Sequence, residues 1–339
     1  MKIVDAVKGY LLSRKVQGCT EKTMTWYRQK LLFFCSYMEN EQKIIALNKI
    51  NITHLRLFVD HMQQTRSGEN NPHNHGPIDS NLSDLTVKGY VQVIKGFFSW
   101  CVSEEPPLLR KNPAASLKLP KVGEYLIKTL EEHHVEELLA TCDIGTPLGF
   151  RDHLILWLFL DTGIRLSELC TLTLDRVFIR LSSAPYIKVL GKGRKEREVG
   201  LHDTTAELLW KYIHMYRHPH DLGEQVVFIN RYGKPLTPTG IGQVILDMKK
   251  RAGIEGIRVS PHTLRHTFAR TYLARGGDLG KLSRLMGHSK VSTTEHYLKD
   301  FNSRDARVDQ SDFSLASVLR HKKSRRGFQK KQSGDIDAI

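Results

Sequence analysis

Four prolines fall within residues 105–127, at Pro106, Pro107, Pro113 and Pro120, among basic residues. Each fixes φ, removes a backbone donor and pushes the preceding residue toward extended backbone, so no continuous helix crosses this stretch. The chain must therefore fold as two parts joined by an extended, basic connector. Its 339 residues suit two domains of about 100–200 residues each. The expected division is 1–112 for the first domain, 113–127 for the linker, 128–310 for the second domain and 311–339 for a basic tail.

The first part carries apolar residues at helical spacing. Tyr27, Leu31, Phe34 and Met38 form one stripe, and Leu55, Phe58, Val59 and Met62 a second. A third helix starts near Thr86 and turns Tyr90, Val93, Ile94, Phe97 and Trp100 inward. Between the second and third helices, residues 66–84 are polar and rich in Asn, Gly and Pro, so they form a loop. Arg28, Lys30, Lys88 and Lys95 lie between the apolar positions. Each suits a solvated helix face; together they suit a helical domain lying against phosphates.

In the second part a helix begins near Thr129, and a buried one spans Arg151–Leu160. Asp161-Thr162-Gly163 breaks it, and Ile164–Leu172 restarts the helix. The period then changes. Val177–Leu181, Tyr186–Leu190 and Glu196–Leu201 read as three short strands, the last two joined by the turn Gly191-Lys192-Gly193. Helices resume at Thr204–Tyr216 and Thr239–Ala252. The expected fold class is mainly α with a small antiparallel sheet.

Lys and Arg number 51 against 36 Asp and Glu, a formal net charge of +15. That surplus favours a polyanionic partner through counterion release. Charge alone leaves DNA, RNA and an anionic membrane open. The five cysteines are widely spaced with no CxxC pair, which argues against a disulfide framework or a zinc site and for a reducing compartment. The start has no apolar core of the kind a signal peptide needs, and the longest apolar run, Leu154–Leu160, is too short to span a bilayer. A cytoplasmic, nucleoid-associated protein with no membrane contact is expected.

Four segments carry candidate chemistry. In TGIRLSEL, Arg165 opens a helix and Glu168, three residues on, shares its face and can orient the guanidinium; such pairs are also common on surfaces. In GKGRKEREV, two glycines place Lys192 at a hairpin tip, with Arg194 beside it. In SPHTLRHT, Ser260 can cap, Pro261 fits the first helical position, and His262 and Arg265 share a face near a helix N-terminus; His266 packs or hydrogen-bonds at i+4. In MGHSKVSTTEHY, Gly287 ends a helix, His288 follows, and Ser292 and Glu295 have capping-box spacing ahead of Tyr297. A tyrosine in such a helix is otherwise a core or interface residue.

Together these segments resemble the tyrosine recombinases, the phage-integrase family that includes the bacterial Xer proteins. The family's order of Arg, Lys, His-x-x-Arg, His and a late Tyr is met by Arg165, Lys192, His262, Arg265, His288 and Tyr297. The resemblance covers residues from about 5 to 300 and is most specific over 160–300. It implies a helical core-binding domain and a catalytic domain that clamp double-stranded DNA at a recombination site. It further implies four protomers on two sites, a Holliday junction, and accessory DNA-bending proteins as candidate partners. In that scheme Arg165 and Arg265 hold the scissile phosphate and His288 donates a further bond to it. Tyr297 attacks to form a 3′-phosphotyrosyl link with His262 as base, and Lys192 protonates the 5′-oxygen. No metal, ATP or other cofactor is expected: no GxxxxGK[ST] and no carboxylate cluster for Mg²⁺ occurs. Lys88, Lys95 and Arg194 are further candidate DNA contacts, and Phe313, Leu315, Val318 and Leu319 have the spacing of a helix that docks on a neighbouring protomer.

Three other readings compete. A type IB topoisomerase shares the chemistry without synapsis. A DNA-binding regulator on the same fold would need neither Tyr297 nor Lys192. A metallo-nuclease would need ligand spacing that the 16 histidines lack.

Overall fold

The computed structural model describes residues 1–65, 81–123, 128–179, 184–191, 195–288 and 294. The chain divides into two compact units, the first ending at Tyr125 and the second beginning at Leu126.

The first unit is helical: α1 (Ile3–Val16), α2 (Glu21–Asn40), α3 (Ile52–Gln64) and α4 (Asp84–Ser103). Thr20, Asn51 and Ser83 cap α2, α3 and α4 by accepting backbone N–H bonds two or three residues on. The three stripes read from the sequence face one core, where Phe34 meets Phe58 and Phe98 edge-to-face. α1, which lies ahead of the three stripes, adds Tyr10 to that core against Phe97 and Trp100.

Two expectations change in this unit. Ala114 and Leu117 are buried in its core, so the first part of the expected 113–127 linker is anchored here. Lys95 ties that anchor down: its ammonium donates to the carbonyls of Leu117 at 2.6 Å and Ala114 at 3.1 Å, with a longer contact to Ala115. It caps a turn, where a phosphate contact had been expected. Lys88 is half-buried on the same helix.

The second unit holds α5 (Glu132–Ala140), α6 (Pro147–Thr162) and α7 (Leu166–Cys170), then strands β1 (Val177–Phe178), β2 (Tyr186–Leu190) and β3 (Glu196–Gly200). It continues with α8 (Asp203–Lys211), a π-helical turn at Tyr212–Tyr216, α9 (Pro238–Arg251), α10 (Pro261–Ala274) and α11 (Leu279–Leu285). The same start recurs three times: Thr146-Pro147, Thr237-Pro238 and Ser260-Pro261 open α6, α9 and α10, a hydroxyl capping and a proline at the first helical position. α6 is buried nearly all round, with Leu154, Ile155, Leu156, Leu158 and Phe159 inaccessible, and it packs on α10.

The helix expected from Thr129 starts at Glu132 instead. The preceding residues are held extended against α10: the Leu130 N–H donates to Thr267 Oγ1 at 3.0 Å and Arg270 donates to Thr129 Oγ1 at 3.0 Å. The sheet is antiparallel in the order β1-β2-β3, with Val189 opposite Arg197 and Ile187 opposite Val199. The first strand is shorter than expected, two residues within the described part. Among the described residues, no helix is long and apolar enough to cross a membrane.

Candidate active site

α6 ends where Gly163 takes a left-handed conformation, φ +59°. A Cβ there would sit 2.2 Å from the Phe268 ring, so only glycine fits. The turn delivers Arg165 to the N-terminus of α7. Its backbone N–H donates to Glu168 Oε2 at 2.7 Å and its Nη1 to Oε1 at 2.8 Å. The expected orienting pair is therefore present, but Glu168 is 1 % exposed, unlike a surface partner.

Glu168 is shared. Arg197 donates through Nη1 at 2.6 Å and Nη2 at 2.9 Å to the same carboxylate. Burial pushes that carboxyl up, but the bonds and charge of Arg197, with the backbone and side-chain bonds of Arg165, outweigh it and hold it below its ordinary value. Arg197 lies within the GKGRKEREV segment but was not picked out there. The signal was available: in β3 it is two residues from the buried Val199, so strand alternation turns both toward the interior.

The three arginines then converge on three successive carbonyls at the end of α11. Arg197 Nε donates to Leu285 O at 2.7 Å, Arg265 Nη2 to Met286 O at 2.6 Å, and Arg165 Nη2 to Gly287 O at 2.7 Å. Arg265, 5 % exposed, also donates through Nη1 to the carbonyl of Gly163. A helix C-terminus carries unsatisfied carbonyls and the negative end of the dipole, which suits guanidinium groups. Three guanidiniums against one carboxylate leave the cluster two positive charges in excess.

That excess shows in the histidines. His288 is pushed down to about 4 by burial and by Arg265, Arg165 and Arg197. It is neutral at pH 7, and its tautomer follows from its partners. Arg265 Nη2, 3.0 Å from His288 Nε2, can only donate, so Nε2 accepts. The proton sits on Nδ1, which donates to Thr294 Oγ1 at 2.8 Å. In this arrangement Nε2 of His288 accepts from Arg265, whereas the role expected of His288 was to donate to the phosphate. Thr294, fully buried, stands three positions before Tyr297 in the sequence and was not foreseen.

His262 lies at the exposed start of α10, and its pKa is lowered by burial of part of the ring and by Arg265 and Arg258. Its Nε2 is 2.7 Å from Nε2 of His266, one turn on. Arg165, Arg265 and His288 are therefore brought together, and His262 shares a helix with Arg265. Lys192, Arg194, Tyr297 and the segment 311–320 lie outside the described residues. No cluster of three His, Cys, Asp or Glu side chains able to hold a metal occurs among the described residues.

Residues 128–304 match the model of the phage integrase family. The chain is 30% identical over 285 residues to a tyrosine recombinase XerD of Listeria monocytogenes, covering 83% of this chain and 89% of the relative. A XerD of Staphylococcus haemolyticus is 32% identical over 283 residues, 83% of this chain and 88% of the relative. Among solved structures, a XerH site-specific recombinase bound to a palindromic difH substrate aligns with TM-score 0.68 at 21% identity, over 90% of this chain and 82% of that one. The Tn1549 transposon integrase in complex with a circular intermediate DNA aligns with TM-score 0.71 at 16% identity, over 93% of this chain and 100% of that one.

Proposed function

Given that this chain belongs to the phage integrase family and is a tyrosine site-specific recombinase, we propose that it exchanges strands between double-stranded DNA sites with Tyr297 as nucleophile and Arg165, Arg265 and His288 around the scissile phosphate. The observation that carries the assignment is the convergence of Arg165 and Arg265 on the adjoining carbonyls of Gly287 and Met286, with His288 3.0 Å from Arg265.

A phosphodiester repels nucleophiles by its own charge, so the site must supply compensating charge in a fixed geometry. Guanidinium forks suit this because each donates parallel bonds to phosphate oxygens. Here each fork is braced by backbone carbonyls, and Arg165 also by Glu168, which fixes its orientation from within the chain. A phenol with a pKa near about 10 needs a base, and His262, kept neutral by its surroundings, takes that role. Lys192 supplies the proton for the departing 5′-oxygen. The phosphotyrosyl bond conserves the energy of the broken phosphodiester, and a 5′-hydroxyl from the partner DNA reverses the step through a Holliday junction. Four protomers act on two sites, with residues 311–320 docking on a neighbour; deletion from 311 onward then weakens assembly while single-site binding persists.

The test is a suicide-substrate assay. The protein is incubated with nicked duplexes from the neighbourhood of its gene, in EDTA, beside Tyr297→Phe. A covalent adduct on a denaturing gel with the wild type and none with the variant is the expected result. Adduct formation that survives Tyr297→Phe, or that EDTA abolishes, overturns the assignment.

A further inference from the structure

His266 is 4 % exposed on α10, and its Nε2 lies 2.7 Å from that of His262, the rings edge-to-face with centroids 4.1 Å apart. Two ring nitrogens at this distance share a single proton, so one ring donates and the other accepts. The two arrangements differ in what they leave on the outer nitrogen of His262. If His266 donates, neutral His262 carries its own proton on Nδ1 and has no lone pair left to receive another. If His262 donates from Nε2, its Nδ1 lone pair is open. No hydrogen bond to that Nδ1 occurs among the described residues.

We infer that His266 is a positioning residue: by accepting from Nε2–H of His262 it holds that ring in the tautomer whose Nδ1 can take the nucleophile's proton. The inference rests on His262 being the base. In the step, the phenolic O–H of Tyr297 breaks and its proton passes to Nδ1 of His262. The phenolate oxygen bonds to phosphorus and the 5′-oxygen leaves. The resulting imidazolium holds protons on both nitrogens and keeps its bond to His266, which stays neutral. The same contact fixes the ring plane, because His266 is rooted in the helix interior while His262 is at its exposed end. Which nitrogen of a neutral imidazole carries the proton is set by the hydrogen bond that the other makes, and the contact with His266 is the one that involves Nε2 of His262.

Two measurements decide it on the full-length protein. Nitrogen-15 NMR of the histidine rings reads the tautomers directly. His262 protonated on Nε2 at pH 7.5, with a larger share on Nδ1 in His266→Leu, is expected; His262 protonated on Nδ1 in the wild type overturns the inference. Single-turnover cleavage of the nicked duplex that gives an adduct then forms a double-mutant cycle. His266→Leu is expected to slow cleavage about tenfold at unchanged DNA affinity and melting temperature, less than the roughly 10²–10⁴-fold expected on removing the base itself. His266→Gln, whose amide oxygen can accept, recovers most of the rate. In a His262→Ala background, His266→Leu has no further effect. An equal loss in that background means a structural role and sinks the inference. Full cleavage by His262→Ala instead overturns the base assignment, a separate failure.

Discussion

Arg165 and Gly287 stand 122 residues apart in the chain, yet the arginine's Nη2 donates to the glycine's carbonyl oxygen at 2.7 Å. The bond joins the turn after α6 to the end of α11, so the first of the candidate catalytic segments and the last described one fold onto each other. Arg265 and Arg197 repeat the pattern on the two preceding carbonyls. The electropositive cluster is thereby held together by bonds within the chain itself.

Gly287 is the narrowest point of this assembly. Its φ is +62°, and a Cβ would lie 2.8 Å from Arg197 Nη1. Gly287→Ala should destabilise the protein by about 1–3 kcal/mol through backbone strain alone, and the displaced Arg197 should reduce cleavage further. Thermal unfolding and the suicide-substrate assay check both; a variant with unchanged melting temperature and rate contradicts the packing described.

Arg197 makes Glu168 tolerable in the interior. Removing one partner of a buried pair typically costs about 3–5 kcal/mol, and Arg197→Ala should approach the lower figure because Arg165 remains on Glu168. In the wild type the lowered carboxyl adds stability above the ordinary carboxylate range, lost as pH falls. In the variant, burial dominates and pushes the carboxyl up, so its stability should decline as pH rises. Urea unfolding at pH 5 and pH 8 reads this decline in the variant, in a range where Glu168 of the wild type contributes no slope, and adding Glu168→Gln should relieve it.

His288 gives a second pH signature of known sign. With its folded value near 4 and an ordinary unfolded value of about 6.5, the unfolded chain binds a proton that the native one does not. Stability should therefore rise with pH between about 4 and 6.5, by of order 1–3 kcal/mol after allowance for the ring's partial exposure. His288→Gln should flatten this slope. A phosphate in the site opposes the arginine charges, so anion binding should raise the His288 value, seen as proton uptake by calorimetry in two buffers.

Lys88 and Lys95 looked alike in the sequence, but the structure separates them. Lys95→Met removes the donor to Leu117 and Ala114 and should cost about 1–2 kcal/mol of stability, with little change in the salt dependence of DNA binding. Lys88→Met should leave stability nearly unchanged and lower the magnitude of the salt slope by about one. Filter binding across a salt series, beside thermal unfolding, distinguishes the two.

What the chain's order alone settled was local. The stripes over Tyr27–Met38 and Leu55–Met62 marked two of the helices, alternation marked the strands, and Ser260-Pro261 marked the start of α10, because each rests on spacing within a few residues. The motif words were legible for the same reason: Arg165 with Glu168, His262 with Arg265, and Gly287 with His288 are neighbours along the chain. Only the tertiary structure decided which of these groups meet. The roles of Arg197, Thr294 and the carbonyls of residues 285–287 rest on contacts across six to 122 residues. So does the anchoring of Ala114 and Leu117 under Lys95. A hydrogen bond is a matter of ångströms, and which distant carbonyl comes within reach of a guanidinium depends on how the helices and the sheet pack together.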